Sequence, residues 1–249
     1  MVVSYDGTLF HGFQKQPGEV RTVQGELIRA LGELLGENVE VFGASRTDAG
    51  VHALGQVVHF TTESRIPPEK IARAVGRHLP EDIVAVSSCE AEEGFHARFS
   101  TVGKLYRYVV NRSASPSLFL RNTAYHIGGD LDVPGMKAGL KALEGEHDFS
   151  SFANVGSTPS EPVRTMYSLE IVEHGPFLIF QVHGSGFLYK MVRNMVGTAL
   201  EVGAGRLKAD EMAGILEARD RQAAGPTAPA RGLYLVRVYY PDEQAGGGG

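Results

Sequence analysis

Apolar positions along the chain fall into two rhythms, one every three or four residues and one every second residue. Behind Thr22, a residue type that caps helix starts, Val23, Leu27, Ala30, Leu31 and Leu34 share one face, and Gly36 supplies a stop. A second helix is predicted from Pro67-Pro68 through Leu79, with Pro68 in its first turn and Ile71, Val75 and Leu79 as the buried stripe. A third runs Pro134 to Leu143, with Met136, Leu140 and Leu143 inward. The most apolar helix spans Phe187–Val202, and a short one lies near Asp210–Glu217. The two-residue rhythm predicts strands at the start of Met1–Gly7 and at Val39–Phe42, Gly55–Thr62, Ile83–Ser88, Lys104–Val110, Arg164–Val172 and Phe177–His183. A last strand ends the segment from Thr227 to Val236.

Helices interleaved with antiparallel-type strands, in two similar halves, predict an α+β fold. Periodicity leaves the topology open. The halves divide near residue 100 with no low-complexity linker, giving an expected N-terminal subdomain over 1–100 and a C-terminal one over 101–241. The glycine-ended tail, 242–249, is expected to be flexible.

Composition adds limits. The 249 residues are 43% hydrophobic and 21% charged, enough for a sizeable core. A single cysteine, Cys89, excludes an internal disulfide and a multi-cysteine metal site, and fits a reducing cytoplasm; its place at the end of a strand pattern predicts a buried or half-buried thiol. No apolar run reaches transmembrane length and no signal peptide opens the chain. The net charge of −5 argues against a nonspecific nucleic-acid coat. It leaves room for a local basic cleft, because the acids gather at 19–40, 81–93 and 144–148.

The candidate chemistry centres on Gly43–Phe60. There a loop carries Arg46, Asp48 and His52, with Gly50 and Gly55 as expected turn points. A carboxylate on a tight loop between strands suits a nucleophile or general base. The same aspartate would equally serve as a turn cap. His52 and His59 are seven apart, a spacing without ligand geometry on a strand, and no complete metal-ligand set is visible.

The run Arg46-Thr47-Asp48-Ala49-Gly50-Val51-His52, followed by Gly55-Gln56-Val57-Val58-His59-Phe60, resembles the signature of the tRNA pseudouridine synthase A family. So do the runs Tyr5–Gln16, Phe95–Ser100, Lys104–Tyr108, Gly145–Phe152, Phe187–Gly197 and Thr227–Val236, so that the likeness covers about residues 2–241. Relatives carry several more residues before Tyr5-Asp6-Gly7, so the first strand reads as clipped, as a start codon assigned too far downstream would leave it. The resemblance implies the pseudouridine synthase fold: a continuous, mostly antiparallel sheet flanked by helices, in two α+β subdomains with the active site in a central cleft. It also implies a homodimer whose tRNA touches both subunits, and uridines 38, 39 and 40 of the anticodon stem-loop as substrate.

On that resemblance Asp48 is the catalytic carboxylate, by covalent attack or by removal of a sugar proton; both routes stay open. Arg193 is the cation that keeps it charged, and Tyr106 stacks on the target base and is a second candidate for proton transfer. Arg46 takes part in flipping the uridine out of its stem. His52, Arg98, Lys104, Arg107 and Lys190, with Arg164, are candidate substrate contacts. Tyr108, two residues after Tyr106, shares its strand face as core or support. The isomerisation gains no electrons and no group, so neither cofactor nor metal is expected, and no dinucleotide fingerprint or Walker loop is present. Two other readings meet obstacles. A non-catalytic RNA-binding protein would not need Asp48, Tyr106 and Arg193 together, and a hydrolase using Asp48 and His52 lacks a nucleophile elbow.

Overall fold

The computed structural model describes residues 1–154 and 161–241 and divides into two compact units. The expected tail at 242–249 lies outside the described residues. The first unit holds Met1–Val102 and is rejoined by the chain from Tyr234 on; the second is Gly103–Leu233.

In the first unit, β1 (Val2–Tyr5) precedes helix α1 (Val23–Leu35), whose start and stop are those the sequence predicts. Thr22 accepts the Gly25 amide through its side chain, and Gly36 closes the helix in the left-handed region at φ 72°. Val23, Leu27, Ala30 and Leu31 are buried, each large aliphatic side chain contributing roughly 2 kcal/mol. Strand β2 is only Phe42–Gly43. Val39 and Val41 are buried, but the Val41 carbonyl accepts the Gln24 side chain at 2.7 Å instead of a strand neighbour. Strand β3 (His52–His59) begins earlier than periodicity predicts. Helix α2 (Pro68–Val75) stops short of Leu79 because the chain meets Gly76. Strand β4 (Ile83–Ser87) leaves Cys89 exposed, contrary to the expected burial: the strand ends before it reaches the thiol.

In the second unit, β5 (Gly103–Asn111), the short β6 (Tyr125–His126), α3 (Val133–Lys141) and β7 (Gly145–Asp148) lead to the long hairpin of β8 (Val163–His174) and β9 (Phe177–Gly184). Helices α4 (Met191–Gly203) and α5 (Glu211–Ala218) follow. Strand order is β5-β9-β8-β7, all antiparallel, with β6 parallel beside β5. Register lines up Tyr106 with Val182 and Leu169, and Tyr108 with Phe180 and Ile171, so one face is a continuous buried row. The opposite face matches Arg107 with Gln181 and Glu170, as alternation demands.

The last strand, β10 (Leu233–Tyr239), corrects the expected domain layout. Instead of staying with a C-terminal subdomain, it returns to the first unit and pairs in parallel with β3, Tyr234 opposite His52 and Leu235 opposite Ala53. That pairing draws β3 back to His52 and completes the order β4-β1-β3-β10, with β2 also on β3. Gly55 is therefore a mid-strand residue, not a turn point. A Cβ there would lie 2.5 Å from the Val236 carbonyl oxygen, so only glycine admits so close a strand.

Candidate active site

In the first unit Asp48 sits half-buried on the loop between β2 and β3. The early glycine-rich run folds around this loop. Phe13 donates its amide to the Thr47 carbonyl at 3.0 Å, Gly50 donates to the Phe10 carbonyl at 3.3 Å, and the Tyr5 hydroxyl bonds the Thr47 hydroxyl at 2.8 Å. Gly12 (φ 94°) and Gly7 let that run approach, since Cβ atoms there would sit 2.8 Å from the Thr47 oxygen and 2.0 Å from the Val51 oxygen. Gly50 is the turn point predicted, at φ 77°. On the other flank the fully buried Gln56 accepts the Ser45 amide at 3.0 Å and donates to the Ser45 carbonyl at 2.7 Å. The backbone under Asp48 is thus held from both sides, and the residue itself stays half-buried.

In the sequence Gln56 stands out only as part of a motif, and neither its role nor that of Arg21 is marked there. Arg21 forks onto Asp82 at 2.7 and 2.8 Å and lies 4.2 Å from the Phe10 ring centroid, stapling the early run to β4's approach. No local signal marks a pair so distant in sequence.

His52 is not placed as a substrate contact. It is 2% exposed, its Nδ1 lies 3.1 Å from both the Gly7 amide and an Asp6 carboxylate oxygen, and its ring stacks on Tyr234 at 4.7 Å. It supports the loop from beneath, because β3 starts at His52 and turns that side chain inward. The Asp6 carboxyl is raised by burial but more than offset by its Thr8 hydrogen bonds and by His52, leaving it below the ordinary range. Arg46 and Arg98 are both exposed. Burial first, then the charge of Arg46, hold the Arg98 guanidinium below its ordinary value, so the two cations lie within each other's field.

In the second unit the segment Phe187–Lys190, expected as the first turn of a helix, stays outside it. Lys190 adopts φ 60°, left-handed, and α4 opens at Met191. A non-glycine residue there stores on the order of 1 kcal/mol of strain. Tyr106, 7% exposed, meets the Phe187 ring edge-on at 5.1 Å. Arg193, in the first turn of α4, donates Nε–H to the Ala228 carbonyl at 2.7 Å. Around it Asn194 is fully buried, donating to the Phe152 carbonyl and the Asn154 side chain and accepting from Thr227 and Arg221. Arg221, which sequence reasoning also missed, spreads across Asn154, Asn194, Thr227 and the Ala224 carbonyl, and burial lowers its pKa.

Tyr108 is fully buried and donates to the Pro229 carbonyl at 2.8 Å; burial pushes its hydroxyl far above the ordinary phenol range. It is core and support, not an acid or base. Lys104 shares the face of Tyr106 by strand alternation, whereas Arg107 points to the opposite face and bonds Gln181 at 3.0 Å. Arg107 therefore leaves the group around Tyr106. Lys190 extends over the Tyr189 ring at 4.9 Å, and Arg164 donates to the Glu161 and Val163 carbonyls. Among the described residues no group of three or more His, Cys, Asp or Glu could hold a metal ion, and no helix is long and apolar enough to cross a membrane.

A family model described as tRNA pseudouridine synthase matches residues 1–100 and 140–241. A curated relative named tRNA pseudouridine synthase A from Acetivibrio thermocellus is 47% identical, over 96% of this chain and 98% of its own length. The protein of that name from Bacillus subtilis strain 168 is 48% identical, over 96% of this chain and 97% of its own. A solved chain from an H/ACA ribonucleoprotein bound to a substrate RNA is more distant, 17% identical over 81% of this chain and 44% of that one, with a TM-score of 0.37.

Proposed function

This chain belongs to the tRNA pseudouridine synthase family, an isomerase family acting on uridine in tRNA, and on that premise we propose that Asp48 is its catalytic group. The proposed substrate is uridine at positions 38, 39 and 40 of the anticodon stem-loop. In the reaction the N1–C1′ bond breaks and a C5–C1′ bond forms; C5 loses a proton and N1 gains one, so atoms balance without a redox partner.

What supports Asp48 is the loop itself: a backbone clamped by Phe13, Tyr5, Phe10 and Gln56 beneath a half-buried carboxylate. A group held so firmly loses little further freedom on reaching its transition state. Two routes fit one ionised carboxylate. It bonds covalently to the nucleoside, or it takes the C2′ proton so that uracil leaves from a glycal. On the family resemblance, Tyr106 is the ring against which uracil turns between the two linkages, since stacking has weak directional demand. Arg193 supplies the positive charge that favours the ionised carboxylate. Arg46 assists extrusion of the uridine, and Arg98, Lys104 and Lys190 meet phosphates. The working enzyme is a cytoplasmic homodimer that holds tRNA across both subunits, a reading carried by the family resemblance.

The test is Asp48→Asn with unmodified tRNA, mapping pseudouridine and measuring affinity. Isomerisation should vanish while tRNA binding stays within about threefold of wild type, because the amide keeps shape and loses charge. Near-normal turnover would remove Asp48 from the mechanism. A rate effect from deuterium at C2′ would select the glycal route, and sedimentation of the purified protein reads the dimer.

A further inference from the structure

The run Phe95-His96-Ala97-Arg98-Phe99-Ser100 is used above only through Arg98, and its geometry is unusual for a surface turn. Ser100 donates its amide to the His96 carbonyl at 2.9 Å, and the Ser100 hydroxyl accepts the His96 amide at 3.0 Å. The amides of Arg98 and Phe99 both point at His96 Nδ1, at 3.1 and 3.3 Å, and the Thr101 hydroxyl donates to the Arg98 carbonyl at 3.1 Å. A turn tied this closely could bury its aromatic residue. Instead it holds Phe99 out, 75% exposed.

Phe99 is the outer member of a cluster of rings. Its ring is tilted against His96 at 4.3 Å, His59 meets His96 edge-on at 4.6 Å, and Phe42 stacks on His59 at 5.0 Å and 19°. The cluster is rooted in β3, where His59 Nδ1 accepts the Ala97 amide at 3.1 Å. The platform is therefore preformed, and stacking on it would order little that is not already ordered. Beside it stands the Arg98 guanidinium, 5.6 Å from the Phe99 centroid. Arg46 is close enough for its charge to press on Arg98. Among the described residues neither arginine has a carboxylate partner at ion-pair distance. A cation without a carboxylate partner beside an exposed ring is complementary to an aromatic group that carries an anion, as a nucleotide does.

We infer that the outer face of Phe99 is a stacking platform for an unpaired base of the RNA substrate, with Arg98 gripping an adjoining phosphate. This rests on the reading of the chain as an enzyme of tRNA. It adds a base contact outside the target uridine's own stacking partner, Tyr106.

The experiment compares wild type, Phe99→Leu and Phe99→Tyr in full-length protein for tRNA affinity, kcat, KM, thermal midpoint and sedimentation. Leucine keeps apolar bulk and loses the π-face, so Kd and KM should rise about tenfold while kcat at saturation holds within about twofold. Tyrosine should restore both to within about twofold of wild type, and neither change should shift the midpoint by more than about 2 °C, since the ring is exposed. Wild-type affinity in Phe99→Leu, or equal damage from tyrosine, would overturn the platform. A Phe99→Leu protein that sediments as a smaller species would also overturn it, assigning the ring to contact between copies. Pseudouridine formation by wild type is scored separately, so the enzymatic reading and the platform can fail independently.

Discussion

Arg193 and Ala228 hold each other twice: Nε–H of Arg193 donates to the Ala228 carbonyl at 2.7 Å, and the Ala228 amide donates to the Arg193 carbonyl at 3.0 Å. The next residue along, Pro229, gives its carbonyl to Tyr108. The loop before β10 is therefore a splint that sets where the guanidinium of α4 stands. Arg193→Lys keeps the charge but has no N–H at the Nε position, so the side-chain half of the splint is lost while the backbone bond remains. Single-turnover rate should fall at least about tenfold and stability by about 1 kcal/mol, as a hydrogen-bonded carbonyl goes unmet. A lysine enzyme with wild-type rate and thermal midpoint would show that charge alone suffices.

Gly197 and Gly214 make a paired test on helices of the same unit. A Cβ on Gly197 would lie 1.7 Å from the Pro226 carbonyl oxygen, a backbone atom, so the loop carrying Ala228 must move. Gly197→Ala should destabilise by about 2 kcal/mol or more and lower kcat as well. Gly214, exposed on α5 with nothing within 4 Å, should gain about 0.5–1 kcal/mol on change to alanine. Denaturant midpoints of the two variants should move in opposite directions; like signs would contradict the packing argument.

Gln56 carries the Ser45 backbone from a fully buried position. Gln56→Leu strands a donor and an acceptor in the interior, which should remove about 2–4 kcal/mol of stability. It should also slow isomerisation at temperatures where the fold persists, because Asp48 stands three residues beyond Ser45. Circular dichroism at the assay temperature separates the two effects, and a folded, fully active variant would deny Gln56 its role.

Burial, then the neighbouring His96, depress the His59 pKa below its ordinary 6.5. The folded protein therefore binds this proton less readily than the unfolded chain does. Its contribution to stability is complete above pH 6.5 and is lost as pH falls from there through the lower folded value. His183 in the second unit, lowered by burial alone, behaves alike. His59→Gln, whose amide oxygen can accept the Ala97 N–H, should lose less midpoint than wild type between about pH 7.5 and about pH 5. Parallel curves for the two proteins would count against it.

What the chain's own order determined was whatever a few neighbouring residues decide. Thr22 and Gly36 bound α1 because cap and stop act within one turn of the helix. Gly50 turns the Asp48 loop for the same local reason, and the alternation of Lys104 to Val110 was enough to place Tyr106 and Tyr108 on one face. The motifs around Asp48, Tyr106 and Arg193 are legible as a family signature in the sequence itself.

Tertiary structure decided the rest, where partners far apart in sequence compete with local preference. The apolar run Phe187–Lys190 reads as helix, yet Lys190 turns left-handed and α4 starts after it. Gly55 reads as a turn until β10 comes within reach of its missing Cβ, and the same strand draws His52 out of the loop and buries it against Tyr234. Cys89 reads as buried until β4 ends at Ser87 and leaves the thiol exposed. In each case the local pattern was compatible with two environments. At Gly55 and His52 the choice between them was made by a strand arriving from a distant segment, which no window of neighbouring residues contains.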